Sequence, residues 1–205
     1  AFKCAANVRN ATSLGTGSVS VASTAVAKAK DIIGNTKGVK ALVIGAGEMS
    51  ELTIKHLLSS GFDVVLTSRD LKKAQNLAAT FLKETTRAQE TKIDVESYSE
   101  LTNLLARIPV MITATSAPYP IITKENAPSA SIDRYWFDIA VPRDIDENIS
   151  LSGLEIFSVD DLQDIVNENM SLRAEQAKMA YSIVSRMSME FFEWLKSLEI
   201  EPVVK

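Results

Sequence analysis

Two closely spaced glycines form the part of the sequence with the clearest chemical meaning. They belong to a six-residue segment that consists of Gly45, Ala46, Gly47, Glu48, Met49 and Ser50. The first glycine permits a sharp turn, and the second lets the backbone approach a bound group without a Cβ in the way. If a helix begins here, its unpaired amides and positive dipole end favour a phosphate. The segment therefore predicts a pyrophosphate site; the alternative is a packing turn without a ligand.

The elements around this segment are those that such a site needs. An apolar run precedes the glycines, and a helical stretch follows them as far as Gly61. Similar strand patterns predict six strands, over residues 39–44, 63–68, 93–95, 110–114, 135–139 and 154–158. Helices are predicted after the second and third strands, at 70–82 and 99–106. Because parallel strands need crossover connections, this alternation predicts an α/β fold with a Rossmann-type doubly wound parallel sheet. Ser50 replaces a third glycine and is small enough for close packing of helix on strand.

Two further helices are predicted on either side of this α/β region. Apolar residues recur at helical spacing between Ser18 and Gly34, with Ser18 or Ser20 as the cap. The stretch from Asp160 to Leu198 contains neither proline nor glycine, so a single long helix is expected. It would extend about 55 Å, further than a domain of this size can cover. Its outer end is apolar and therefore needs a partner.

The end of the second predicted strand indicates which cofactor the site prefers. NAD-binding proteins usually carry an acidic residue there, about 20 residues after the glycines, to bind the ribose hydroxyls. This sequence has Ser68 and Arg69 instead, followed by Lys72 and Lys73. A hydroxyl and several cations suit the 2′-phosphate of NADP, so NADPH is the predicted cofactor; the alternative for Arg69 is a solvated surface charge. Asp70 is interpreted as the cap of the next helix.

The loops after the fourth and fifth strands are expected to face the nicotinamide half of the cofactor, since ligands of open α/β sheets bind beyond the carboxyl ends of the strands. Small residues leave room for a ring there, namely Thr115, Ser116, Ala117 and Ala140. Arg143 and Asp144 follow the fifth strand. They could orient a substrate, or they could form a structural turn.

Composition limits the remaining chemistry. The net charge is −4, with Lys and Arg scattered along the chain, so no electrostatic nucleic-acid site is expected. One cysteine and one histidine exclude an intrachain disulfide and a Cys/His metal cluster, so no metal is predicted. No apolar run approaches the roughly 20 residues that span a bilayer. These features favour a soluble protein of the reducing cytoplasm.

Several motifs resemble those of one known family, glutamyl-tRNA reductase. The segments concerned are Gly45–Met49, Ala114–Pro118, Phe137–Asp146 and Asp160–Leu162, with further similarity at Ser18–Ser23 and Ile183–Leu195. The resemblance implies an NADPH-dependent oxidoreductase of tetrapyrrole (porphyrin) biosynthesis. Such enzymes take glutamate from glutamyl-tRNA as a thioester on a cysteine and reduce it to glutamate 1-semialdehyde. It also implies three regions: the tail of an N-terminal catalytic domain (1–17), an NADP-binding Rossmann domain (18–159) and a helix that leads to a dimerisation domain (160–205).

The resemblance places the nucleophilic cysteine in the N-terminal catalytic domain. Cys4 lies in the segment that resembles the tail of that domain, so no catalytic residue is assigned here, and the chain is expected to be an inactive fragment. The implied partners are glutamyl-tRNA, a second copy of the full-length protein and glutamate-1-semialdehyde aminomutase. Two other functions stay open: an NADP-dependent dehydrogenase of the shikimate type, and a non-catalytic dinucleotide sensor.

Overall fold

A parallel sheet of six strands forms the centre of the protein. The computed structural model describes residues 2–12, 20–84 and 91–199. The strands are β1 (Lys40–Ile44), β2 (Asp63–Ser68), β3 (Ile93–Ser97), β4 (Val110–Thr113), β5 (Arg134–Asp138) and β6 (Leu154–Phe157). Their order is β3-β2-β1-β4-β5-β6, and every neighbouring pair is parallel. The predicted doubly wound α/β fold is therefore confirmed.

The described residues also form helices. They are α1 (Phe2–Ala11), α2 (Val21–Ile33), α3 (Glu48–Ser59), α4 (Leu71–Glu84), α5 (Leu101–Arg107) and α6 (Val159–Glu199), with a short 3₁₀ helix, Tyr98–Glu100, before α5. The long C-terminal helix is confirmed, whereas α1 was not among the predicted helices. Among the described residues, no helix combines the length and the apolarity that a membrane span requires.

Local side-chain hydrogen bonds determine where two of these helices begin. Ser20 caps α2, because its hydroxyl oxygen accepts the backbone amide of Ser23 at 3.1 Å. In return, the hydroxyl oxygen of Ser23 accepts the backbone amide of Ser20, which completes a capping box. Ser18, the other predicted cap, lies outside the described residues. At the start of α6, the Asp161 carboxylate accepts the amide of Ser158 at 2.8 Å. Small polar residues thus fix both helix starts, as capping preferences predict.

The chain divides into two compact units. The sheet unit comprises Ser18–Val166, and the helical unit comprises Ala1–Gly17 together with Asn167–Lys205. The sheet unit contains all six strands and the loops at their carboxyl ends. The candidate site described below lies entirely within it.

Two apolar clusters cover the two faces of the sheet. Ala41 and Val43 of β1 belong to the first cluster, together with buried residues of α2, α3 and α4. Leu42 and Ile44 of the same strand belong to the second cluster, which includes residues of α5. Successive side chains of a strand point to opposite faces, so β1 is buried on both sides. This double burial explains why its sequence is a nearly continuous apolar run, and it holds the following turn in a fixed place.

The packing of α3 on the sheet generates a prediction about stability. Leu57 of α3 is fully buried in the first cluster, whereas Leu82 of α4 is 65% exposed. Leu57→Ala is expected to lower the free energy of unfolding by about 2–5 kcal/mol, because it leaves a cavity in a close-packed core. Leu82→Ala should change it by less than about 0.5 kcal/mol. Urea unfolding followed by circular dichroism measures both, and equal losses would contradict the assigned packing.

Candidate functional site

The turn between β1 and α3 depends on Gly45. This residue has a φ of +118°, a region that residues with a side chain rarely adopt. Its amide donates to the carbonyl oxygen of Thr67 at 2.9 Å. A Cβ at this position would lie 2.7 Å from the carbonyl oxygen of Ala114 and 2.9 Å from the Oγ of Ser50. Glycine is therefore required both by the backbone conformation and by the close approach of the loop after β4.

Ser50 occupies the place where the dinucleotide-binding pattern has its third glycine. Its side chain is fully buried, and its hydroxyl lies within 3.4 Å of the Ala114 carbonyl oxygen, to which it donates. The small side chain thus lets the first turn of α3 pack against the loop after β4, as close helix packing at this position requires. Ser50 contributes to this packing and does not line the pocket described next.

The N-terminal end of α3 offers backbone donors. Gly47 is the N-cap residue, with a φ of −98°, and no side-chain hydrogen bond caps the helix. The first amides of a helix have no carbonyl partner within it, so an uncapped end leaves donors for water or a ligand. The acidic Glu48 and Glu51 lie in the first turn, where they interact favourably with the helix dipole. The uncapped backbone amides, and not these carboxylates, give the helix start the donor set of an anion site.

A pocket of about 630 Å³ lies at this helix end. It is found where the strand order changes direction, because β1 lies between β2 and β4. It brings together nine of the predicted residues, Gly45, Ala46, Gly47, Glu48, Met49, Ser68, Arg69, Thr115 and Ser116. The glycine turn, the end of β2 and the loop after β4 thus share one cavity.

Four of the predicted residues do not line this pocket. They are Ser50, Lys72, Ala117 and Ala140. Ala117 and Ala140 are buried in the fold. Lys72 is exposed on α4, whereas its neighbour Lys73 lines the pocket. Consecutive residues of a helix point about 100° apart, so only one of these two lysines faces the cavity.

Tyr98 and Ile121 also line the pocket, and the sequence did not predict either of them as a site residue. Tyr98 directly follows β3, which ends at Ser97 and not at Val95 as predicted. The rule that ligands bind beyond the carboxyl ends of strands would have selected Tyr98 had this boundary been correct. Burial raises the pKa of the Tyr98 hydroxyl, and the nearby Arg69 guanidinium partly opposes that shift. The hydroxyl therefore stays protonated at neutral pH and can donate.

The end of β2 carries the positive charge of the pocket. Arg69 is exposed and forms no ion pair within the described ranges 2–12, 20–84 and 91–199. Asp70 caps α4 as predicted, since its carboxylate accepts the amide of Lys73 at 3.0 Å. One oxygen of this carboxylate, which also lines the pocket, thus accepts a backbone amide. Arg69 and Lys73 leave this end of the pocket suited to an anionic group.

Arg143 and Asp144 occupy different environments. Arg143 lies at the surface, with its Nη2 3.3 Å from the Oδ2 of Asp160. Asp144 is fully buried and accepts hydrogen bonds from Thr113 and Thr115 at the end of β4. Neither residue lines the pocket. The geometry therefore favours a structural turn over direct contact with a substrate.

The strand order, together with a glycine turn at the switch point, defines a dinucleotide-binding class of α/β domain. A family model described as "Shikimate / quinate 5-dehydrogenase" matches residues 27–165, which include all six strands. The chain belongs to this family.

Comparison with individual proteins gives a more specific similarity than the family model does. Over all 205 residues the chain is 80% identical to glutamyl-tRNA reductase from Aliarcobacter butzleri, and it spans 46% of the length of that relative. The solved structure of glutamyl-tRNA reductase from Methanopyrus kandleri matches 96% of this chain and 50% of its own, with a TM-score of 0.77 and 28% identity. The nucleotide-binding domain of the Thermoplasma volcanium enzyme matches 78% of this chain and 99% of its own, with a TM-score of 0.59 and 20% identity, which shows the fold alone. The resemblance inferred from the motifs is confirmed.

The two glycines of the turn generate a matched pair of predictions. Gly45→Ala should lower the free energy of unfolding by about 2–4 kcal/mol, because the Cβ meets backbone and φ is positive. A Cβ at Gly47 meets nothing within 4 Å, so Gly47→Ala should change stability by less than about 1 kcal/mol. Urea unfolding of the two variants tests this difference, and similar losses would show that the turn is not constrained as described.

Proposed function

We propose that the pocket binds NADPH and that the chain is the nucleotide-binding part of a glutamyl-tRNA reductase. The observation that carries the proposal is the uncapped N-terminal end of α3, which lines one pocket together with Arg69. The uncapped helix end suits a pyrophosphate, and the Arg69 guanidinium suits a 2′-phosphate. The relative from Aliarcobacter butzleri, 80% identical over the full chain, supports the choice of reductase over the shikimate-type dehydrogenase.

The glycine turn would hold the pyrophosphate. Gly47, Glu48 and Met49 line the pocket at the point where α3 begins. A Cβ at Gly47 would enter open space, so the backbone here can be approached closely. Backbone amides and the helix dipole bind phosphate without a lysine or arginine at this position.

The end of β2 would hold the adenosine 2′-phosphate. Arg69 provides a planar guanidinium that can bind two phosphate oxygens at once, and Lys73 adds a second positive charge. Asp70 also lines the pocket, but its carboxylate already accepts the Lys73 amide. NAD would find two cations beside this carboxylate, one oxygen of which accepts a backbone amide. This arrangement favours NADPH over NADH.

The loop after β4 would face the nicotinamide half. Ala114, Thr115 and Ser116 line the pocket there, and their small side chains leave room for a ring. When bound, NADPH would supply a hydride for the reduction of a carbonyl carbon. The residues of this chain would bind and orient the cofactor. Cys4 lies half-buried on α1 in the helical unit, and no nucleophilic role is assigned to it.

The full-length protein would carry out the complete reaction. In this proposal, residues 1–17 are the tail of a catalytic domain, 18–159 bind the nucleotide and 160–205 lead to a dimerisation domain. The catalytic domain would take the glutamyl group from glutamyl-tRNA as a cysteine thioester. Hydride transfer would then yield glutamate 1-semialdehyde for tetrapyrrole synthesis, and the aminomutase that uses this aldehyde would be a partner.

Cofactor preference provides the test of this proposal. The chain should bind NADPH more tightly than NADH, and Arg69→Gln should lower the affinity for NADPH about 10- to 100-fold, because it removes a charged partner of the 2′-phosphate. The same variant should leave the affinity for NADH nearly unchanged. Lys73→Gln should weaken NADPH binding more than Lys72→Gln, which alters a matched lysine outside the pocket. Fluorescence titration with each nucleotide measures these affinities.

Equal affinity of the unmodified chain for NADPH and NADH would contradict the 2′-phosphate assignment. Failure to bind either nucleotide would contradict the proposed function as a whole.

A further inference from the structure

We propose that Asp144 is the positioning residue for the nicotinamide half of the pocket. Its buried carboxylate fixes the loop after β4, so that Ser116 presents the hydroxyl that binds the nicotinamide riboside. This inference rests on the proposed function and extends it to a residue that does not itself line the pocket.

The carboxylate of Asp144 accepts hydrogen bonds from the polar groups at the end of β4. Its Oδ2 accepts the hydroxyl of Thr113 at 2.5 Å and the amide of Thr115 at 2.9 Å. Its Oδ1 accepts the hydroxyl of Thr115. Both carboxylate oxygens are therefore engaged with the last residue of the strand and with the first turn of the loop.

The backbone of Asp144 fixes the far end of the same loop. Its carbonyl oxygen accepts the amides of Ile121 at 2.7 Å and Ile122 at 2.9 Å. Ile121 lines the pocket. One residue thus holds both ends of the segment that runs from Thr113 to Ile122, which restricts the conformations open to it.

Asp144 is itself held in place by a second buried carboxyl group. Asp138 accepts the amides of Ala140 at 3.1 Å and Ile145 at 2.9 Å, which fixes the backbone on both sides of Asp144. Burial raises the pKa of Asp138, and the nearby Asp144 carboxylate adds to that shift. The two acids form a rigid connection between the ends of β4 and β5.

Hydrogen bonds compensate for the free-energy cost of burying the Asp144 carboxylate. In the part of the chain that the structure describes, no lysine or arginine forms an ion pair with it, and the adjacent Arg143 instead reaches Asp160. A buried carboxylate is costly unless its oxygens are satisfied. The three hydrogen bonds from Thr113 and Thr115 therefore stabilise the position of the loop strongly.

These bonds determine which hydroxyl faces the pocket. The Thr115 hydroxyl donates to Asp144 and accepts the amide of Ala117 at 3.2 Å, so it is already engaged. Ala114 has no polar side-chain atom. Ser116 is exposed and lines the pocket, and it forms no side-chain hydrogen bond among the described residues. Among the loop residues that line the pocket, it is the one whose hydroxyl is available to the cofactor.

Comparing two ligands distinguishes a loss of loop positioning from a general loss of the folded binding site. NADPH contains the nicotinamide, whereas 2′,5′-ADP contains the adenosine 2′-phosphate without it. Asp144→Asn replaces an acceptor oxygen by a donor, so at least one of the three bonds is lost or reversed in direction. The variant should bind NADPH about tenfold more weakly and shift the fluorescence of the reduced nicotinamide, because the loop no longer holds the ring. Its affinity for 2′,5′-ADP should change less than about twofold.

Thr115 provides a matched pair that tests the same contact without altering the acid. Thr115→Val removes the hydroxyl that Asp144 accepts, and it should weaken NADPH binding but not 2′,5′-ADP binding. Thr115→Ser retains the hydroxyl and should restore the affinity and the fluorescence of the unmodified chain. This pair decides the question if Asp144→Asn fails to fold.

Equal weakening of both ligands by Thr115→Val would overturn the inference, as would NADPH binding that neither Asp144→Asn nor Thr115→Val changes. Failure of Thr115→Ser to restore binding would also overturn it. An unmodified chain that binds neither ligand would instead overturn the proposed function on which the inference rests.

Discussion

The close approach of Gly45 to the loop after β4 is the constraint on which the site depends. The distances of 2.7 and 2.9 Å from a Cβ at Gly45 to Ala114 and Ser50 leave no space for a side chain. This contact brings the start of α3 and the end of β4 into one pocket. It also directs the chain into a helix whose first amides have no side-chain cap. Those donors are open to water in the free protein, and a bound phosphate would take the place of that water.

The two sides of the pocket are built on different physical principles. On the β2 side, Arg69 and Lys73 are exposed cations, which suits the recognition of a phosphate by charge. On the β4 side, Asp144 is a buried acid that acts through hydrogen bonds to Thr115 and not through contact with the pocket. Strand β1 lies between β2 and β4. The cationic end of the pocket and the end formed by the rigid loop are therefore one strand apart.

The sequence predicted those features that depend on local patterns. The apolar run of β1 and the following glycines were sufficient to locate the turn, since double burial and positive φ restrict the residue types directly. Tyr98 was missed because β3 continues through Glu96 and Ser97, whose polar side chains do not resemble a buried strand. The choice between Lys72 and Lys73 depends on where α4 begins, which composition does not determine to one residue. The role of Asp144 depends on Thr113, 31 positions earlier, and only the folded chain brings the two together.

Backbone amide signals provide the most direct measurement of phosphate binding at α3. In a ¹H–¹⁵N NMR titration of the chain with NADPH, binding at the helix end predicts the largest shifts at the amides of Gly47, Glu48 and Met49. Inorganic pyrophosphate should move the same amides at higher concentration. Saturation with NADPH that leaves these three amides unchanged, with shifts confined to another part of the chain, would contradict the assignment of the site.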